Sequence, residues 1–293
     1  MTQRRYLQLD VFAHSPGAGN PLGVIADSQG LDTGDMQALA AWLNLPETIF
    51  FLPPQAGADY HVRIFTPGCE LPFAGHPSVG AAWAALSLGL ASAQDDRLVQ
   101  QCAAGLLPVR IARDGDGRIS PHVRAPRAKP LATTPSQHAL LGQAISRWPQ
   151  AIRAPALWNN GPSWWLVELA DTASVRTLQP DFAAIATLSR ASQATGLAVF
   201  ARHEGSEHDL AVRAFCPADA PSTPEDPVTG SANACIAALL HAVDALPGSN
   251  GRYLASQGRE LGRDGVVQVR VDDQGEVWIG GLVQPVIQGQ VSW

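Results

Sequence analysis

A turn-and-helix unit occurs twice in this chain, and that repetition constrains the fold more than any other feature. Phe73-Ala74-Gly75-His76-Pro77-Ser78-Val79-Gly80 runs into an Ala-rich stretch, 81–90. Glu225-Asp226-Pro227-Val228-Thr229-Gly230-Ser231-Ala232-Asn233 runs into a second, 234–242. Each follows a strand-like run carrying an Arg-x-Phe triplet, Arg63-Ile64-Phe65 and Arg213-Ala214-Phe215. Gly75 and Gly230 lie 155 residues apart (230 − 75), about half of the 293-residue chain. This implies two similar halves, each aiming a helix N-terminus at a shared cleft. Such an end presents unpaired backbone N–H groups and partial positive charge, so it suits a carboxylate or another anion.

The remaining pattern is consistent with that division. Strand-like runs fall at 6–12, 22–26, 48–52 and 60–66, with helical spacing at Met36, Leu39, Ala40 and Leu43. Further strands are expected near 105–112 and 118–124. The segment 125–136, with Pro126, Pro130 and Pro135 and no apolar period, reads as a linker. The second half repeats the order loosely over 137–283: strands at 164–169, 197–201 and 210–215, a weak helix near 181–191, and strands near 266–271 and 276–280. A last strand, about 284–293, is expected to pack back onto the first half, 1–124. Mixed strands with one prominent helix per half define an α+β fold, each half a mixed sheet rolled around its helix.

Composition excludes several function classes. A net charge of −6 provides no basic stripe for nucleic acid. No apolar run reaches the roughly 18 residues of a membrane-spanning helix. The opening MTQRRYLQLDVF reads as a strand rather than a secretory leader, so a cytoplasmic protein is expected. Cys69, Cys102, Cys216 and Cys235 are widely spaced and suggest neither a disulfide framework nor a zinc site. His203 and His208 have no evident third ligand and read as a surface loop.

The candidate chemistry gathers at the two turns and at one carboxylate outside them. Gly75 and Gly230 allow backbone to approach a ligand closely. His76 occupies an expected N-cap, with Pro77 at the first helical position; it is either a cap or a proton relay near neutrality. Asp226 precedes a proline and is either an Asx cap or a functional carboxylate. Glu47 is squeezed between Leu45-Pro46 and the apolar Thr48-Ile49-Phe50-Phe51-Leu52. Partial desolvation there would raise its pKa toward the range a general acid/base requires.

Taken together, VFAHSPGAGNPLGVI, NLPETIFFLPP, RIFTPGCELPFAGHPSVGAA, RAFCPADAPSTPEDPVTGSANA and QGRELGRDGVVQV resemble the PhzF family, the phenazine-biosynthesis isomerases of the diaminopimelate-epimerase-like superfamily. FAGHP followed by EDPVTGSA is the specific part of that resemblance. It implies two similar halves with the active site in the cleft between them, no cofactor, and a homodimer. Carried onto matching positions, it makes Glu47 the acid/base that moves a proton between carbons, assisted by His76 and Asp226. The substrate contacts it implies are Asn20, Gly75, Ser78, Gly230 and Ser231. Pro46 stands where the family commonly has Ser.

The related racemases and epimerases place a cysteine immediately before each Gly turn. Here those positions hold Ala74 and Thr229. The expected activity is therefore a cofactor-independent isomerisation of a small anionic, carboxylate-bearing metabolite. A non-catalytic binding or regulatory protein on the same fold is the alternative, and a thiol racemase ranks third.

Overall fold

The structure, a computed structural model, describes residues 2–203, 205, 207–218 and 224–293. The chain divides into two compact units, one running to Arg124 and including Ile279–Trp293, the other Ala125–Trp278. Among the described residues no helix is long and apolar enough to cross a membrane.

In the first unit β1 (Gln3–Val11), β2 (Asn20–Ile25), α1 (Thr33–Leu43), β3 (Glu47–Leu52), β4 (Tyr60–Phe65), β5 (Glu70–Leu71), α2 (Gly75–Ser87), β6 (Arg97–Cys102), β7 (Gly105–Arg113) and β8 (Ile119–Arg124) follow in order. The pairs β2/β3 and β4/β6 are parallel; β1/β2, β3/β4, β6/β7 and β7/β8 are antiparallel. This mixed sheet curls around α2, which touches β1, β2, β3, β4, β6 and β8. Small residues make the wrapping possible. A methyl group on Gly80 would collide with Leu22 and press on Val11, so α2 lies nearly against the strands. The outer face is covered by α1, through Met36, Leu39 and Ala40 packed on Ile25, Phe50 and Phe65.

The second unit contains β9 (Lys129–Pro130), α3 (Pro135–Ile145), β10 (Ala156–Asn159), β11 (Ser163–Glu168), α4 (Thr172–Thr177), α5 (Phe182–Ser192), β12 (Gly196–Arg202), β13 (Leu210–Phe215), β14 (Glu225–Asp226), α6 (Gly230–Ala242), β15 (Arg252–Gln257) and β16 (Gly265–Val271). After β17 (Val277–Gly280), β18 (Val283–Ser292) runs antiparallel along β1. The pairings of the first unit recur: β11/β12 and β13/β15 parallel, β12/β13 and β15/β16 antiparallel. Helix α6 touches β10, β11 and β16 on one face. On the other, α3 and α5 cover the sheet with Leu141, Ile145, Ile185 and Leu188. Burial on both faces explains why β12 reads as a continuous apolar run up to Arg202 and why β13 is buried throughout, Arg213 included.

The fold class is the α+β that the sequence implies, and the differences are local. The segment expected as a linker contributes β9, paired with Trp158 and Asn159 of β10, and opens α3. Pro135, one of the prolines that marks the linker, is tolerated in the first turn of α3, whose start is fixed by a capping box of Thr134 and Gln137. His208 is buried instead of sitting in a surface loop, its ring stacked on His203 with centroids 4.1 Å apart. Positions 204 and 206 of that segment lie outside the described residues.

The Arg-x-Phe triplets acquire a structural meaning. Arg63 donates from Nε and a terminal nitrogen to both carboxylate oxygens of Glu70, at 2.7 and 2.6 Å, and lies over the Phe65 ring at 5.2 Å. Arg213 does the same with Glu225, at 2.8 and 2.9 Å, over the Phe215 ring at 5.1 Å. Each arginine thus clamps the short strand from which a turn departs. Bidentate geometry fixes direction as well as distance.

Candidate active site

Helices α1, α3, α4 and α5 are each capped by a side chain: Asp32, Thr134, Asp171 and Asp181. The two central helices are not. The N-cap of α2 is Ala74 and that of α6 is Thr229, and neither makes a side-chain cap bond. His76 is therefore not the N-cap, and Pro77 is not the first helical residue. Both stand inside the first turn, because the extended residue is Ala74, with φ −147° and ψ 143°. Pro77 fits there because N–H groups of a first turn have no intrahelical acceptor anyway. Ala74 and Thr229, the positions that the resemblance sets against the thiols of racemases, are the N-caps of the two central helices.

In the first unit, parallel pairing of Leu22 with Glu47 brings the starts of β2 and β3 to the same end of the sheet. Asn20 opens β2 and is buried; Glu47 opens β3 with 17% of its side chain exposed. Over this end sits the first turn of α2. His76 Nε2 lies 3.4 Å from Glu47 Oε2, with only 5% of the imidazole exposed. Burial is the principal influence on the ring and lowers its pKa to about 3, partly opposed by a hydrogen bond to the Pro21 backbone. The ring is therefore neutral at physiological pH. Proline's backbone can only accept, so the ring nitrogen facing Pro21 carries the proton. Nε2, which has no hydrogen-bond partner among the described residues, is left as the acceptor facing Glu47.

Ser78, expected as a substrate contact, is buried in the first turn of α2. Its buried hydroxyl donates to Ala74 O at 2.8 Å and accepts from Gln100 Nε2 at 2.9 Å; Gln100 Oε1 in turn accepts from Tyr60 Oη. This chain, sealed inside the unit, anchors the start of α2.

In the second unit, Asp226 Oδ2 accepts a 2.7 Å hydrogen bond from the Thr229 hydroxyl. Ser231 is held from two sides: Trp164 Nε1 donates to its hydroxyl at 3.1 Å, and Asn160 Nδ2 to its carbonyl at 3.0 Å. Trp165, the neighbour of Trp164 in the sequence, is instead a core residue whose indole donates to Ser192. The residues that sequence reasoning misses are Asn160 and Gln257, both buried amides. Gln257 lies 24 positions or more from the groups it touches, and only the register of β15 brings it to the turn.

The two units differ at one decisive place. Glu47 pairs with Leu22 across parallel strands, and the next residue, Thr48, faces Phe65 of the Arg-x-Phe triplet. In the second unit the same registers, Trp164 with Gly196 and Leu197 with Phe215, put Gly196 in Glu47's place. A methyl group there would run into the Phe215 carbonyl. The second unit has no room for a counterpart of Glu47.

The family model described as phenazine biosynthesis-like protein matches residues 9–289. Antisense-enhancing sequence 1 of Schizosaccharomyces pombe is 30% identical over 298 residues, covering 99% of both chains. Trans-2,3-dihydro-3-hydroxyanthranilate isomerase of Pseudomonas aeruginosa is 34% identical over 281 residues, 93% of this chain and 92% of its own. The crystal structure of a phenazine biosynthesis protein of the PhzF family from Bacillus anthracis aligns over 100% of both chains with a TM-score of 0.82 at 24% identity. The chain belongs to the phenazine biosynthesis-like family, and it is an enzyme of the isomerase class.

Proposed function

We propose that this isomerase moves a carbon-bound proton within a small, cyclic or unsaturated carboxylate, with Glu47 as the acid/base. The observation that carries the reading is the contact of Glu47 with a buried, neutral His76 at the uncapped start of α2. Glu47 removes a proton from carbon, and the electron pair delocalises into the adjoining unsaturated system. The same proton returns from Glu47 to a second carbon, so a double bond shifts. No electrons are lost, and no co-reactant is consumed. While Glu47 holds the proton, the Nε2 lone pair of His76 provides an acceptor beside it. The N–H groups at Gly75, in the unit that carries Glu47, suit developing negative charge, and those at Gly230 offer the same chemistry in the second unit. Asn20, Ser231 and Asp226 orient polar groups of the ligand, and Ser78 acts only by holding α2.

The substrate class follows from chemistry and likeness together. A free carboxylate matches the uncapped helix starts, and the Pseudomonas aeruginosa relative is named for trans-2,3-dihydro-3-hydroxyanthranilate, an unsaturated cyclic carboxylate. The test is incubation of the protein in D2O with that compound and then with a panel of small unsaturated carboxylates, followed by NMR. Product carrying deuterium on carbon supports the reading. Ligands that bind by calorimetry yet return unchanged and undeuterated would assign the fold a binding role instead.

A further inference from the structure

Gln257 lies at the end of β15, 1% exposed, and its amide makes four hydrogen bonds, all to the turn that opens α6. Oε1 accepts from Thr229 N at 3.1 Å and from Asn233 Nδ2 at 3.0 Å. Nε2 donates to Asp226 O at 3.0 Å and to Thr229 Oγ1 at 2.9 Å. A backbone N–H can only donate and a backbone carbonyl can only accept. Thr229 N and Asp226 O therefore fix which end of the amide is oxygen and which is nitrogen. Thr229 Oγ1 then receives its hydrogen bond from Gln257, and its own single proton goes to Asp226 Oδ2. The direction of the whole chain is set by main-chain groups.

We infer that Gln257 is a positioning residue of the active site, acting through Thr229 to hold Asp226 Oδ2 as a hydrogen-bond acceptor. The inference rests on the role proposed for Asp226 and sharpens it: Oδ2 accepts the Thr229 hydroxyl proton and is held in one orientation while the chain is intact. It also gives residue 229 a task. At the position where related racemases have a thiol, Thr229 has its proton committed to Asp226, so it is a scaffold for the carboxylate and not a base. Arg213 supports the same turn one residue upstream by clamping Glu225.

The experiment compares Gln257→Leu, Thr229→Val and Thr229→Ser with wild type in two readouts. The first, amide hydrogen exchange over 226–233, needs no substrate. Gln257→Leu removes all four bonds, and loss of the one that the Thr229 N–H itself donates is expected to speed exchange there roughly tenfold or more, with β12 unchanged. The second is turnover of trans-2,3-dihydro-3-hydroxyanthranilate. Misplacement of Asp226 is expected to lower kcat on the order of 10²-fold in Gln257→Leu and Thr229→Val with KM little changed, while Thr229→Ser restores it. Wild-type exchange at Thr229 in a folded Gln257→Leu protein would overturn the inference. So would Thr229→Ser losing as much kcat as Thr229→Val, which also decides the matter if Gln257→Leu does not fold. Wild type that fails to turn over the probe would count against the proposed reaction alone, and exchange would still decide the place of Gln257.

Discussion

His76 makes the stability of the first unit depend on pH in a direction opposite to that of a salt-bridged histidine. Burial lowers its pKa from 6.5 to about 3. The unfolded chain therefore takes up a proton below about pH 6.5 that the native ring refuses until about pH 3. Stability is complete above the unfolded value and is lost progressively as pH falls across that window. At 1.36 kcal/mol per pH unit the whole interval corresponds to roughly 5 kcal/mol, and the step from 6.5 to 5 to about 2 kcal/mol. A hydrogen bond to the Pro21 backbone opposes this in part, and burial prevails. Denaturant midpoints between pH 5 and 8 for wild type and His76→Asn provide the test. Wild type is expected to lose about 2 kcal/mol more than the variant between pH 7 and 5. Equal slopes would refute the reasoning, and a wild type that gains relative to the variant on acidification would show that the Glu47 contact dominates.

Other perturbations separate clamp, packing and thiol contributions. Arg213→Met is expected to cost about 3–5 kcal/mol, because Glu225 remains buried without its partner. Arg63→Met, at a pair whose side chains are 23% and 30% exposed, is expected to cost nearer 1 kcal/mol, and matched chemical denaturation reads the difference. Gly80→Ala forces a methyl group against Leu22 and is expected to destabilise by about 1–3 kcal/mol; an unchanged melting temperature would show that the sheet yields. Iodoacetamide is expected to label the exposed Cys69 first and to leave activity intact, while buried Cys235, its pKa pushed up to about 12, stays unmodified in the mass spectrum. Inactivation that tracks labelling would bring a thiol mechanism back.

The duplicated frame could be read from the sequence because its signals are local. A glycine turn, an Ala-rich helix and an Arg-x-Phe strand lie within 25 residues in the first half (63–87) and 30 in the second (213–242), and each has its own physical cause. Helix α3 is hidden by an equally local signal. Pro135 looks like linker proline until Thr134 and Gln137 are seen to cap the helix it begins. The sequence pattern puts the N-cap two residues late, at His76, because Ala74 has no capping side chain to mark it. The buried amides could not be found at all. Gln257 reaches Thr229 only through the parallel register of β13 and β15. Gly196 reveals itself as the counterpart of Glu47 only when both strand registers are superimposed.

The proposed proton transfer depends on Glu47 before any other residue. The deciding measurement is the rate at which wild type and Glu47→Gln incorporate solvent deuterium into carbon of a converting carboxylate, with His76→Asn alongside. Wild type is expected to incorporate label as product forms, and Glu47→Gln to fall by roughly 10²–10⁴-fold while remaining folded. A smaller loss is expected for His76→Asn, whose ring only assists. Undiminished incorporation by Glu47→Gln would contradict the account and remove the proton transfer from the start of β3.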